Sequence, residues 1–306
     1  GRETLSRAGE LAKFDLSSQM VVELSSLAGF MAKEYAAKAG ETPEVASALW
    51  EMELPRTTGG PLPTSVPGAL LALADRFDLL TAMFAIGAKP TGSSDPFALR
   101  RAALGVASIL RGVDGVGAIT ISAGLAAAAA RLRTQGVDVS DESVAAAQEF
   151  VEGRFHQQLR DEGTSAGLVD AVAPLADAPG KAELALKDIE AVRATDGFAP
   201  LVEVTQRITR IVPAGTTGAY DRSVLVEDTE KALADRVDAL PDHAGDGLVD
   251  WLADAKAIVD PANTFFDEIL VMADDEALKA ARLGLLQTIV DRAPKGIDWK
   301  ALHAAL

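Results

Sequence analysis

The stretch PFALRRAALGVASILRG, Pro96 to Gly112, decides the fold class. Ser94 or Asp95 can cap a helix here, Pro96 suits its first turn, and Gly112 can end it. At ~100° per residue, Leu99, Ala103, Val106, Ile109 and Leu110 fall on one arc. Arg100, Arg101, Ser108 and Arg111 fall on the opposite arc. The stretch is therefore an amphipathic helix. The same period runs outward in both directions, and alternating β-branched runs are almost absent; Ile119-Thr120-Ile121 is too short to be a strand. The expected fold is all-α.

Punctuation divides these helices. Leu54 to Gly68 (LPRTTGGPLPTSVPG) holds four prolines and three glycines and reads as a long loop. A break at Gly87 to Asp95 precedes the Pro96 helix. Gly136 to Asp141 is the expected domain boundary, giving domains over 1–135 and 136–306. Further breaks fall at Ala178-Pro179-Gly180, Pro213 to Gly218 and Asp242 to Gly247. Near the end, Asp260-Pro261 opens a helix carrying Phe265, Phe266 and Ile269, and Asp274-Asp275-Glu276 caps the next.

The 306 residues suffice for two cores, and 48% apolar composition excludes a mainly disordered chain. Absence of cysteine excludes disulfide scaffolds, Cys-ligated zinc, Fe–S clusters and thiol nucleophiles. The uncharged stretch Gly115 to Ala130 is Ala/Gly-rich and shorter than the ~20 apolar residues of a spanning helix. No signal peptide opens the chain, which starts at Gly1 and is expected to be part of a longer, cytoplasmic protein. The net charge of −16 opposes a phosphate backbone at first sight. Its distribution is uneven. Residues 1–160 carry 15 basic and 18 acidic side chains, and residues 161–306 carry 14 and 27. Between 97 and 136 the only charges are five arginines and Asp114. The arginine arc is then either a solvated face or a phosphate-binding strip, and its residues alone leave both open.

Catalytic signals are few. His156, His243 and His303 form no metal-ligand pair at helical spacing and neighbour no nucleophile in a known pattern. No GxGxxG, GxxxxGK[ST] or GxSxG occurs. On residue chemistry the chain reads as a helical binding or assembly module rather than an enzyme.

Several segments together resemble the C-terminal half of the bacterial glycyl-tRNA synthetase β subunit. The most specific is Pro90 to Gly105 (PTGSSDPFALRRAALG). Ala69 to Leu80 (ALLALADRFDLL), Lys13-Phe14-Asp15-Leu16 with Met20 to Leu24, and Asp260 to Leu286 also match. The middle, Phe150 to Val172 and Val204 to Val212, is similar more loosely. The resemblance implies an HD-like helical domain followed by a DALR-like anticodon-binding helical domain. It implies an enzyme that joins glycine to tRNA(Gly) with ATP, the α subunit or a fused α region activating glycine and the β part binding tRNA. Class II motifs and HIGH or KMSKS signatures are absent from this stretch, so no cofactor is expected in it. ATP and Mg belong to the catalytic part. Neither DNA nor membrane is an expected partner.

The family pattern also marks a departure. An HD phosphohydrolase binds metal through histidines, an adjacent Asp and a distal Asp. Here Phe14 stands at the paired-histidine position, beside Asp15, with Asp75 as the distal Asp and no histidine before His156. Phe cannot ligate a metal. The resemblance therefore implies a degenerate HD site, with Asp15 and Asp75 in structural roles and no metal. Arg100 and Arg101 match the motif and Arg111 shares their arc; with Arg207, Arg210 and Arg282 these are the candidate tRNA contacts. Arg282 could equally pair with an acid one turn away. An active HD-type phosphohydrolase and a protein-binding helical scaffold are the alternatives.

Overall fold

The computed structural model describes every residue except Ser93 and Asp246. Ser93 of the 90–105 motif and Asp246 of the 242–247 break thus lie outside the described residues. Among the described residues there is no strand, only an isolated bridge between Thr91 and Ser94. The fold is all-α. The chain forms two compact units, residues 1–163 with 176–181 and residues 164–175 with 182–306.

The first unit contains α1 (Arg2–Glu10), α2 (Gln19–Glu23), α3 (Phe30–Lys38), α4 (Pro43–Glu51), α5 (Val66–Ala85), α6 (Leu99–Gly112), α7 (Ile121–Thr134) and α8 (Asp141–Asp161). Helix α5 is its centre and packs against α1, α4, α6, α7 and α8. Leu73, Phe77 and Leu80 of α5 meet Leu99, Val106 and Leu110 of α6, Ile121 and Leu125 of α7, and Val151 of α8 in one core. A second cluster joins Ala8, Ala32, Ala36, Leu49 and Leu71. Gly124 allows α7 to approach: a Cβ there would lie 2.2 Å from Cε2 of the buried Phe77 ring.

The Pro96 helix starts later than its sequence suggests. Pro96 and Phe97 form a turn, Ala98 takes a left-handed φ of 55°, and α6 begins at Leu99. Asp95 still caps it from outside, accepting from the Leu99 N–H at 2.8 Å and the Arg100 N–H at 3.0 Å. The end of the long loop also differs, because Pro67 and Gly68 sit in the first turn of α5, where proline forfeits no intrahelical bond. The buried Glu51 carboxylate braces this loop, accepting from the Thr64 hydroxyl at 2.6 Å and the Ser65 hydroxyl at 2.5 Å.

The break at 136–141 is a turn inside the first unit, with Gly136 at φ 83° after α7. The compact units part at 163/164 because α8 buries Ala147 and Val151 in the first core. Residues 176–181 also belong to that unit: the Asp177 carboxylate accepts from the Ser122 N–H and hydroxyl, each at 2.6 Å.

The second unit contains α9 (Ala166–Ala171), most of α10 (Pro179–Val192), α11 (Phe198–Ile211), α12 (Asp228–Ala239), α13 (Leu248–Ala255), α14 (Val259–Glu268), α15 (Glu276–Arg292) and α16 (Trp299–Ala305). Helix α11 packs against α13, α14, α15 and α16, and Phe198, Trp251, Phe265 and Leu285 are fully buried. Asp275 caps α15 through the Leu278 N–H at 2.9 Å.

Gly124→Ala is expected to lower stability by about 1–3 kcal/mol, since the ring it meets is held in a filled core. The urea midpoint measures this, and an unchanged midpoint would contradict the close α5–α7 approach.

Candidate functional site

Arg76 is the buried cation of the first unit around which a charged cavity is built. Its sequence position already carries a signal, because Ala69, Ala72, Leu73, Arg76 and Leu80 share one arc of α5. The side chain is correspondingly only 8% exposed. One guanidinium nitrogen donates to the carbonyls of Ala72 at 2.9 Å and Met52 at 3.1 Å; the other donates to Pro55 at 3.3 Å and Glu53 at 3.5 Å. Burial holds its pKa below the ordinary arginine value, with Asp75 and Glu53 opposing that effect and Arg101 adding to it. Gly105 of α6 makes room, since a Cβ there would meet Arg76 Nε at 2.6 Å.

Beside Arg76 opens a cavity of about 250 Å³. Glu53, Arg56, Asp75, Arg76, Phe97 and Arg101 are among its walls. Arg56 is steadied by the Ala28 carbonyl at 3.4 Å and lies 5.7 Å from the centroid of the Trp50 ring. Arg101 is exposed and has no hydrogen-bond or ion-pair partner among the described residues.

The arginine arc of α6 divides three ways. Arg101 faces this cavity, and Arg100 donates to the Gly92 carbonyl at 2.7 Å. Arg111 turns to α8, pairing with Glu162 at 2.8 Å and lying 5.7 Å from the Phe155 ring centroid. Ser108 likewise accepts from Gln158 at 2.9 Å. Arg111 is thus a packing and ion-pair residue, its counter-charge supplied from 51 positions away.

The three positions of the degenerate HD pattern do not assemble a donor set. Phe14 packs beside the α1–α3–α4 core. Asp15 is buried and accepts from the Gly29 N–H at 2.8 Å. Asp75 pairs with Lys13. A metal needs carboxylate or imidazole lone pairs converging on one point, and these residues do not fit one; among the described residues no group of three His, Asp or Glu is so placed.

In the second unit Arg207 and Arg210 are exposed on α11. The Arg207 guanidinium stacks 4.2 Å from the Phe266 ring centroid, which orients it while leaving its N–H groups toward water. Arg282 behaves differently. It is 7% exposed, donates to Glu230 at 2.5 Å and to the Leu270 carbonyl at 2.7 Å, and so holds α15 to α12. Its acid lies 52 residues away rather than one turn away. Glu230 is fully buried and also accepts from the Val226 N–H at 2.7 Å and the Glu227 N–H at 2.9 Å. Burial pushes this carboxyl up, but the Glu227 N–H, Arg282 and the Val226 N–H together hold it below its ordinary value.

The fold and this surface define an all-helical module with unpaired surface guanidiniums. The family model described as glycyl-tRNA synthetase beta subunit matches residues 2–174, and the chain belongs to that family. It is similar to the glycine–tRNA ligase beta subunit of Photobacterium profundum, with 38% identity over 95% of this chain and 43% of the relative. The corresponding protein of Shewanella halifaxensis is 37% identical over 98% and 44%, and that of Acinetobacter baylyi is 36% identical over 92% and 41%. The chain thus spans less than half the length of these curated relatives. No helix among the described residues is long and apolar enough to cross a membrane.

Glu230→Gln should strip Arg282 of its counter-charge and cost about 3 kcal/mol at neutral pH, as breaking a buried pair does. A depressed carboxyl contributes stability that is present above its unfolded pKa and lost as pH falls through the lower folded value. The gap between wild type and variant should therefore close below pH ~4, near the ordinary carboxyl range. Urea melts across pH measure it, and a gap that stays constant on acidification would remove the ion pair as its cause.

Proposed function

We propose that this chain is the tRNA-binding, non-catalytic C-terminal part of a glycine–tRNA ligase β subunit, supporting ATP-dependent attachment of glycine to tRNA(Gly). One observation carries the tRNA reading within the family: Arg101 is an exposed guanidinium with no ion-pair partner among the described residues, set beside Arg56 and Arg76. A planar guanidinium can donate two parallel hydrogen bonds to a phosphate. Arg100, half-buried, adjoins it, and Arg207 and Arg210 are exposed on α11. Arg111 and Arg282 act in the fold, because Glu162 and Glu230 already take their charge.

On this reading the first compact unit is the HD-like domain and the second the DALR-like anticodon-binding domain. The partners are tRNA(Gly) and the α subunit or a fused α region, in the cytoplasm. ATP, Mg and glycine activation belong to the catalytic part. The HD-like unit serves as a helical scaffold, in keeping with Phe14 at a ligand position and Lys13 on Asp75.

Filter binding tests this with tRNA(Gly) and a non-cognate tRNA over a salt series. Replacing Arg100 and Arg101 together by Ala should weaken binding and reduce the salt slope by roughly one unit for each phosphate no longer neutralised. An unchanged slope would remove these residues from the interface. Failure of both tRNAs to bind at low salt would favour a protein-binding scaffold.

A further inference from the structure

We infer that the cavity beside Arg101 is a binding site for a nucleoside phosphate, taken either as a free nucleotide or as one nucleotide unit of an RNA. This rests on reading Arg101 as a phosphate ligand, and it names the chemical unit recognised there.

Charge is the first argument. The walls hold the guanidiniums of Arg56, Arg76 and Arg101 and the carboxylates of Glu53 and Asp75. Asp75 is engaged by Lys13. The carbonyls around Arg76 satisfy its N–H groups without cancelling its charge, and no carboxylate pairs with it. The site is therefore net positive despite the acidity of the chain, and its one exposed cation is Arg101.

Size is the second. At about 250 Å³ the cavity falls below the ~300 Å³ at which pockets begin to enclose a drug-sized ligand. It suits a ribose phosphate, with the remainder of the ligand outside. Phe97 in its wall is 46% exposed, and an exposed aromatic ring is what a nucleobase stacks on.

Glu53 separates a nucleotide from a simple anion. Glu53 has no hydrogen-bond or ion-pair partner for its carboxylate among the described residues, and it would repel inorganic phosphate. A carboxylate beside cations instead matches a ribose phosphate, whose hydroxyls donate to the acid while the phosphate meets arginine. Arg101 thus takes the phosphate, Glu53 the ribose hydroxyls and Phe97 the base.

Equilibrium dialysis of the 306-residue chain against 5′-AMP, 5′-dAMP and a short single-stranded RNA tests this, with tRNA(Gly) filter binding in parallel. We expect saturable one-site binding of 5′-AMP or of the RNA, weakened about tenfold or more by Arg101→Ala. Binding of both assigns a site open to free nucleotides; binding of the RNA alone assigns an RNA nucleotide. Phe97→Ala should weaken whichever probe binds. Glu53→Gln should abolish the preference for ribose over deoxyribose. Circular dichroism and the urea midpoint establish that the variants, all at solvent-accessible positions, are folded. Absence of saturable binding by both probes at millimolar concentration overturns the inference, as does binding indifferent to Arg101→Ala or Phe97→Ala. If tRNA(Gly) still binds and its salt slope still falls with the arginine variants, the cavity assignment alone has failed and the tRNA reading stands.

Discussion

The buried guanidinium of Arg76 is the constraint on which the first unit depends. It emerges from the apolar arc of α5 and ends among the carbonyls of Met52, Ala72 and Pro55. Two of those carbonyls, Met52 and Pro55, belong to the chain leaving α4, which has no helical partners for them at that point. One side chain therefore satisfies loop backbone, fixes the path of residues 52–55 against α5, and leaves a positive charge under the surface. Gly105 is the complement on α6, because a side chain there would displace Arg76 Nε. Arg76 held in this way forms part of the cavity wall, beside Arg101 and Ala102 of α6.

The second unit solves a related problem with an ion pair. Glu230 must satisfy the N–H groups preceding α12, which it reaches from within that helix. Its remaining oxygen faces Arg282, whose other arm holds the Leu270 carbonyl between α14 and α15. Removing either partner would leave a charge in a place where water cannot reach it, so the pair specifies how α12, the 269–275 loop and α15 meet. Neither buried arginine is exposed as a surface ligand would be, although Arg282 looks cationic and available in a one-dimensional reading. Exposure separates them from Arg101, Arg207 and Arg210.

What the sequence made legible follows from how local each determinant is. The helix at 99–112 could be read because its cap at Asp95 and its apolar arc lie within one segment. Its first residue could not, since that depends on the left-handed Ala98, to which no glycine or asparagine draws attention. Gly136 resembles a domain boundary because the same glycine chemistry ends any helix; burial of Ala147 and Val151 in the first core, invisible locally, joins α8 to the first unit. Partners are the least local of all. Glu162 and Glu230 are 51 and 52 positions from the arginines they neutralise, so charge counting within a helix leaves Arg111 looking unpaired and does not find the acid of Arg282. Arg76 was readable in principle, since a cation on an apolar arc must find buried acceptors.

The same distinction bears on the net charge of −16. A sum over the chain governs binding only if distant charges are felt at the site. At physiological ionic strength exposed charges more than about 8 Å apart are largely screened, so a charge summed over the whole chain says little about the groups in contact with a ligand. Within the cavity walls the balance is three guanidiniums against Glu53 and an Asp75 already held by Lys13. Low solvent access around Arg76 further weakens screening and makes its charge more effective than an exposed one. An acidic protein can thus keep an anion site by confining positive charge where water is scarce and leaving its acids in solvent. Acids left in solvent then act chiefly on encounter, through a field that salt screens.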